Sequence, residues 1–107
     1  MSKFIKIIFL ITLTFPLLFL NLATASEKLK IGILVPMTGP NKNLGQSIIK
    51  AVRLAIKDID SDLIEVIPKD TTSAPNKTLQ SANELKEMGV RIVIGPIFYE
   101  NLIYLDE

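Results

Sequence analysis

Lys30-Ile31-Gly32-Ile33-Leu34-Val35-Pro36-Met37-Thr38-Gly39-Pro40 decides the fold of this 107-residue chain. Its first half is a continuous run of Ile, Leu and Val around one glycine. Strands covered on both faces, as in a parallel sheet, read this way, whereas half-exposed strands alternate apolar with polar residues. Pro36 ends the run, and Thr38-Gly39-Pro40 turns the chain.

Outward from that stretch, the sequence repeats a series of strand, loop and helix. Leu44, Ile48, Val52, Ala55, Ile56 and Ile59 recur at helical spacing, with Lys50, Arg53 and Lys57 on the other side. Asn43 with Gln46 three residues later has the pattern of a capping box at the helix start. Residues 63–67 read as a second strand. Glu65 in its middle and Pro68 at its end mark a sheet edge, where a charge and a missing N–H donor are tolerated. Residues 70–76 are polar and turn-forming. Leu79, Ala82, Leu85 and Met88 mark the packed face of a second helix, and Gly89 is placed to end it at C′. Residues 90–94 form a third strand closed by Gly95-Pro96, and residues 101–107 open a further helix that the sequence does not complete.

Strands alternating with helices imply parallel strands joined by right-handed crossovers. The expected fold class is α/β, a three-layer doubly wound parallel sheet with strand order 2-1-3.

Residues 1–25 read as a secretory signal peptide. Lys3 and Lys6 supply the positive start, Ile7 opens an apolar stretch that reaches Leu20, and Ala23-Thr24-Ala25 is a small-x-small cleavage site before Ser26. The apolar stretch falls short of the ~20 residues that span a bilayer, so no membrane anchor is expected after cleavage. No cysteine follows it to carry a lipid, so the product is not a lipoprotein. Without a twin arginine, the ordinary secretory route to the periplasm is the simpler one.

The remaining residues, 26–107, are near charge balance. Of 12 Lys and Arg only Lys3 and Lys6 lie in the leader, and all 11 Asp and Glu lie after it. There is no basic stripe for nucleic acid and no polybasic patch for anionic membranes. With no Cys, disulfides and thiolate metal sites are excluded; with no His, the commonest general base and metal ligand is missing. A segment of this size buries one modest core, only about 60 to 65% of the surface its unfolded chain exposes.

A dinucleotide fold needs G-x-G-x-x-G after the first strand, but Gly39 and Gly45 are too far apart, and no Walker lysine loop exists. Ser47-Ile48-Ile49-Lys50 matches S-x-x-K, but neither S-D-N nor K-T-G follows, and a solvated helix face explains it better. Asp58, Asp60 and Asp62 surround a helix end without sharing a face. Asn76-Lys77-Thr78 is formally a glycosylation acceptor at a helix start. The chain is therefore expected to be non-catalytic, with no metal and no cofactor.

In open parallel sheets, ligands sit beyond the carboxyl ends of the strands, where helix N-termini also point. Three loops reach that edge: residues 36–43, 70–76 and 95–100. Their candidate ligand-edge residues are Thr38, Asn41, Leu44, Asp70, Thr71, Thr72, Phe98, Tyr99 and Glu100. Taken singly, such Thr and Asp residues more often cap helices and turns.

The Lys30–Pro40 stretch, Gly45, the strand ending Pro68-Lys69-Asp70 and Gly89-Val90-Arg91-Ile92-Val93-Ile94-Gly95-Pro96-Ile97 together resemble the opening of the leucine-binding-protein domain. That is the type I periplasmic binding protein fold of substrate-binding proteins in amino-acid ABC transporters. The resemblance implies the first half of an N-terminal lobe, truncated, in a bilobed protein that closes on a small-molecule ligand and docks on an inner-membrane permease.

Ile64-Glu65-Val66-Ile67-Pro68-Lys69-Asp70-Thr71 and Gly95-Pro96-Ile97-Phe98-Tyr99-Glu100-Asn101-Leu102 are also similar to segments of penicillin-binding protein activators. These share the fold, and a cell-wall synthase would then be the partner. Transport members usually carry a Ser or Thr after the second Gly-Pro to bind the ligand carboxylate. Here Phe98, Tyr99 and Glu100 stand there, and Glu100 would repel a carboxylate brought into a desolvated cleft. Leu44 stands where some amino-acid binders place a tryptophan.

Overall fold

A computed structural model describes residues 2–7 and 26–106. Residues 2–7 are helical, and most of the expected signal peptide, including the cleavage residues Ala23 and Ala25, lies outside the described residues. Ser26 is exposed. No helix among the described residues is long and apolar enough to cross a membrane.

Three strands and two helices alternate: β1 (Leu29–Val35), α1 (Lys42–Ile59), β2 (Ile64–Asp70), α2 (Pro75–Glu87) and β3 (Ile92–Ile94), followed by a 3₁₀ turn, Tyr99–Leu102. The sheet has the order β2-β1-β3 with both pairings parallel. β1 aligns Val35 with Asp70 on one side and Ile33 with Ile94 on the other.

The order dictates the layering. The first crossover carries the chain from the centre to one edge and the second carries it back across to the other, so right-handed connections put the two helices on opposite faces. Side chains along β1 agree. Ile33 and Val35 are fully buried with Ile49 of α1, with Ile48, Val52, Val66, Met37 and Ile97 packed around them. Gly32, on the alternate face, lies under Leu85 of α2, whose side chain is fully buried. The expected three-layer α/β arrangement with order 2-1-3 is what the chain adopts.

Element ends differ from expectation at four places. β2 runs through Pro68 to Asp70 instead of stopping before the proline. As an edge strand it has one side free, so the missing N–H costs no ladder bond there. β3 is confined to Ile92–Ile94, shorter than residues 90–94, because the Val90 amide is drawn to Leu85 O at the end of α2. Asn43 is not the cap of α1. Asn41 occupies that position without a side-chain cap bond, since its side chain is engaged elsewhere, and Asn43 lies inside the helix. The expected helix over residues 101–107 is not seen in its described part, 101–106; the helical turn after β3 is the 3₁₀ segment Tyr99–Leu102.

The packed helix faces also rotate relative to the apolar pattern. In α2 the buried residues are Thr78, Ser81 and Leu85, while Met88 is exposed and Leu79 and Ala82 line a shallow cleft with Tyr104 and Leu105. Both buried hydroxyls are satisfied: Thr78 Oγ1 donates to Ala74 O and Ser81 Oγ to Asp70 O. In α1 the buried positions are Gly45 and Ile49, while Leu44, Leu54 and Ile59 are exposed. Gly89 stands at C′ as expected, with its amide on Lys86 O. Lys30 Nζ donates to Met88 O at 2.8 Å, placing a cation at the carbonyl end of α2.

Candidate functional site

β1 leads outward to β2 and β3 on opposite sides, so the direction of winding reverses between β1 and β3. A crevice opens at the carboxyl ends of strands at such a point. It is flanked by the loop after β1, with Thr38 and Asn41, and the loop after β3, with Phe98, Tyr99 and Glu100. The loop after β2 borders the first.

Asp70 joins the first two loops. Its register opposite Val35 puts its carboxylate beside the chain leaving β1. Oδ1 accepts from the Met37 amide at 2.8 Å and from the Thr72 amide at 2.8 Å; Oδ2 accepts from Thr38 Oγ1 at 2.6 Å. Partial burial pushes the carboxyl up, but the Thr38 hydroxyl and the Met37, Thr72 and Thr38 amides outweigh it and hold Asp70 below the usual carboxylate value. Asn41 Nδ2 donates to Ser73 Oγ at 3.2 Å, a second tie between the same loops.

The loop after β2 is held in a conformation that its residues would not choose. Thr72 and Ser73 both have positive φ, 50° and 57°, where a side chain crowds the backbone and a β-branched residue crowds it more. Local bonds over-determine it: the Ser73 amide donates to Thr71 Oγ1, the Ala74 amide to Thr71 O and Thr72 Oγ1 to Thr71 O. Such strain persists only where surrounding structure enforces it.

The candidate residues therefore separate. Thr71 is buried and its amide donates to Val35 O, so it belongs to the scaffold. Thr38 and Thr72 stand at the edge with their hydroxyl hydrogens committed to neighbours, and Asn41 with one of its two side-chain N–H groups committed. Leu44 lies in the first turn of α1, close to half exposed. Tyr99 is 79% exposed and shares with Glu100, Pro75, Leu102, Ile103 and Tyr104 an open, largely apolar cleft of ≈ 560 Å³. Phe98 is half-buried.

The third loop is fixed to the sheet through Gly95, where φ is +110° and any Cβ would fall on Leu34 O, and through Ile97 in the core. Asn101, unremarkable in the sequence, is buried, with an Nδ2 group that has no hydrogen-bond partner.

The remaining polar motifs are absorbed by the helices. Ser47 Oγ donates to Asn43 O within α1, and Lys50 is exposed. Asn76 is exposed inside α2. Among the described residues no group of three or more His, Asp or Glu side chains could hold a metal ion.

A family model described as "Periplasmic binding protein" matches residues 28–101, the segment that carries the sheet and all three loops. Proteins named "Leu/Ile/Val-binding protein homolog 1" from Brucella abortus, Brucella suis biovar 1 and Brucella melitensis biotype 1 are each 35% identical to it over 71 residues. The aligned region is 61% of this chain and 19% of each relative, so the chain spans about a fifth of the length of the curated relatives it matches. With its parallel β2-β1-β3 sheet and its loops gathered at the carboxyl edge, the chain belongs to the periplasmic binding protein family.

Proposed function

We propose that the full-length protein is an exported, non-catalytic binding protein that closes two lobes over a small solute of the amino-acid class and presents it to an inner-membrane permease. Hinge closure suits this task because the closed form is the one a permease distinguishes from the empty protein. The observation that carries the reading is the edge itself. In a family defined by binding, the first two loops are locked together by Asp70 at the carboxyl edge of the sheet. Building that edge to fixed geometry is what a ligand subsite requires.

The relatives' printed names supply the first probes. L-leucine, L-isoleucine and L-valine, followed by the other amino acids, are added to the purified full-length protein and its melting is followed. A true ligand at 100 times its Kd stabilises the folded state by about 2.7 kcal/mol, which reads as a clear rise in Tm. No rise with any amino acid sinks the proposal.

A second reading has its own observation. Tyr99, 79% exposed, and Glu100 stand where a carboxylate-binding hydroxyl would serve an amino-acid binder. A penicillin-binding protein activator would use that surface for a protein partner. Recovery of a cell-wall synthase by the protein, together with failure of the melting test, selects it. Export is checked separately, by fractionation and by the mass of the mature chain, expected to begin at Ser26.

A further inference from the structure

We infer that Asp70 is a positioning residue that fixes the Thr38 hydroxyl as an acceptor toward the crevice, so that the ligand group received at the first loop is a hydrogen-bond donor, an amine or a hydroxyl, and not a carboxylate. This rests on the binding reading above and names the ligand chemistry of that site.

Both oxygens of Asp70 are occupied by this chain's own donors, so Asp70 itself does not reach for a ligand. An ionised carboxylate only accepts, so at 2.6 Å the Thr38 hydroxyl must be the donor and its one hydrogen is spent. What Thr38, an exposed residue, turns outward is lone pairs. Thr72 is in the same state, its hydrogen spent on Thr71 O at 2.7 Å. Asn41 has committed one N–H to Ser73 and keeps its carbonyl oxygen and its second N–H, so it meets either kind of ligand group. Glu100, exposed on the 3₁₀ turn of the loop after β3, adds a further acceptor with a negative charge. Thr38 and Thr72 therefore offer lone pairs with no hydrogen left to give, and Glu100 offers a charged acceptor. Meeting them with a carboxylate would pair acceptor with acceptor.

The polarity of Thr38 is set by its neighbour and so can be reversed. In Asp70→Asn the amide oxygen still accepts from Met37 and Thr72, while its NH₂ faces Thr38 and donates. The hydroxyl then accepts from the amide and its hydrogen is released toward the crevice. Charged groups on the surrounding elements include Lys42 of α1, Lys69 of β2, Lys77 and Glu84 of α2, and Glu100. Among the described residues the one ion pair is Lys69–Glu84, so Asp70's partners are the hydroxyl and amides alone.

Two measurements on the full-length protein test this. The first compares leucinamide, which keeps the amine and lacks the carboxylate, with N-acetyl-leucine, which keeps the carboxylate and lacks the amine. Wild type is expected to prefer leucinamide by at least tenfold, and Asp70→Asn to narrow that ratio several-fold. Thr38→Val should weaken leucinamide binding, and Thr38→Ser, which keeps the hydroxyl, should restore it. A wild-type preference for N-acetyl-leucine, or a ratio that Asp70→Asn leaves unchanged, overturns the proposal.

The second measurement needs no ligand. The Met37 and Thr72 amide resonances should titrate together with a midpoint below the ordinary carboxylate value of about 3.9. The depressed pKa means that the latch stabilises the fold above that value and is lost as pH falls through the folded-state midpoint. Thr38→Val should raise the midpoint; an unmoved midpoint overturns the coupling of Asp70 to Thr38. If neither probe binds wild type while the titration behaves as stated, the binding reading fails and the latch stands.

Discussion

At Gly45 the Pro36 carbonyl occupies the space a side chain would need: a Cβ built there would fall on Pro36 O. In an exposed helix interior, replacing Gly by Ala usually stabilises by about 1 kcal/mol. Here the obstacle is backbone that cannot rotate aside, so α1 would have to lift from the loop that ends β1. Forced overpacking typically costs about 1–3 kcal/mol. A clash with backbone puts the cost in the upper part of that range, about 2–3 kcal/mol, so the second effect wins and Gly45→Ala is expected to lower stability by about 1–2 kcal/mol net. For a segment of this size that is a fall in Tm of roughly 4–15 °C by circular dichroism. An unchanged or raised Tm would mean that α1 is not held against Pro36. The same contact explains why the apolar pattern of α1 misleads: the helix meets the sheet along Gly45, Ile48, Ile49 and Val52, and its approach at Gly45 leaves Leu44 at the margin.

Among the elements, the sheet was legible in the sequence because parallel, doubly covered strands are written as unbroken apolar runs. The edge position of β2 followed from Glu65 and Pro68 for a simple electrostatic and hydrogen-bonding reason. The packed face of α2 was not legible. Its burial rests on Thr78 and Ser81, whose hydroxyls turn back onto Ala74 O and Asp70 O and so behave in the core like small satisfied groups. An apolar count cannot see that, and it favours Met88, which is 41% exposed. The loop contacts of Asp70 were equally hidden, since they depend on the Val35–Asp70 register.

Within α2, neighbouring residues make opposite contributions. Leu85 is fully buried over Gly32, and Leu85→Ala should cost about 2–5 kcal/mol by leaving a cavity against β1. Glu84, bonded to Lys69 at 2.8 Å and to Gln80, has its carboxyl held below the usual value, by the Lys69 bond first. It lies at the solvent, where such pairs are screened, so Glu84→Gln should leave the denaturant midpoint nearly unmoved. If the two substitutions shifted the midpoint equally, α2 would not pack as described.

For the whole molecule, the open question is what lies beside β3. Ile92, Val93 and Ile94 are 48%, 42% and 41% exposed, and among the described residues β3 is paired only with β1. An uncharged apolar edge of this kind is a template for further strand pairing. A segment comprising residues 26–107 alone should therefore self-associate as its concentration rises, seen by sedimentation. Val93→Lys, which places a charge on that edge, should shift it toward monomer. A monomeric wild-type segment with a cooperative melt would contradict this. The same substitution separates two states of the strand, because the curated relatives extend far beyond the aligned region. If in the full-length protein β3 is an inner strand with both edges paired, Val93→Lys buries an unpaired charge and should lower its Tm markedly. If β3 remains an edge there, the Tm should stay nearly unchanged and only the association should fall. One substitution read in two lengths of chain thus determines whether the edge that leads toward the Tyr99 and Glu100 loop is interior to a lobe or open to a partner.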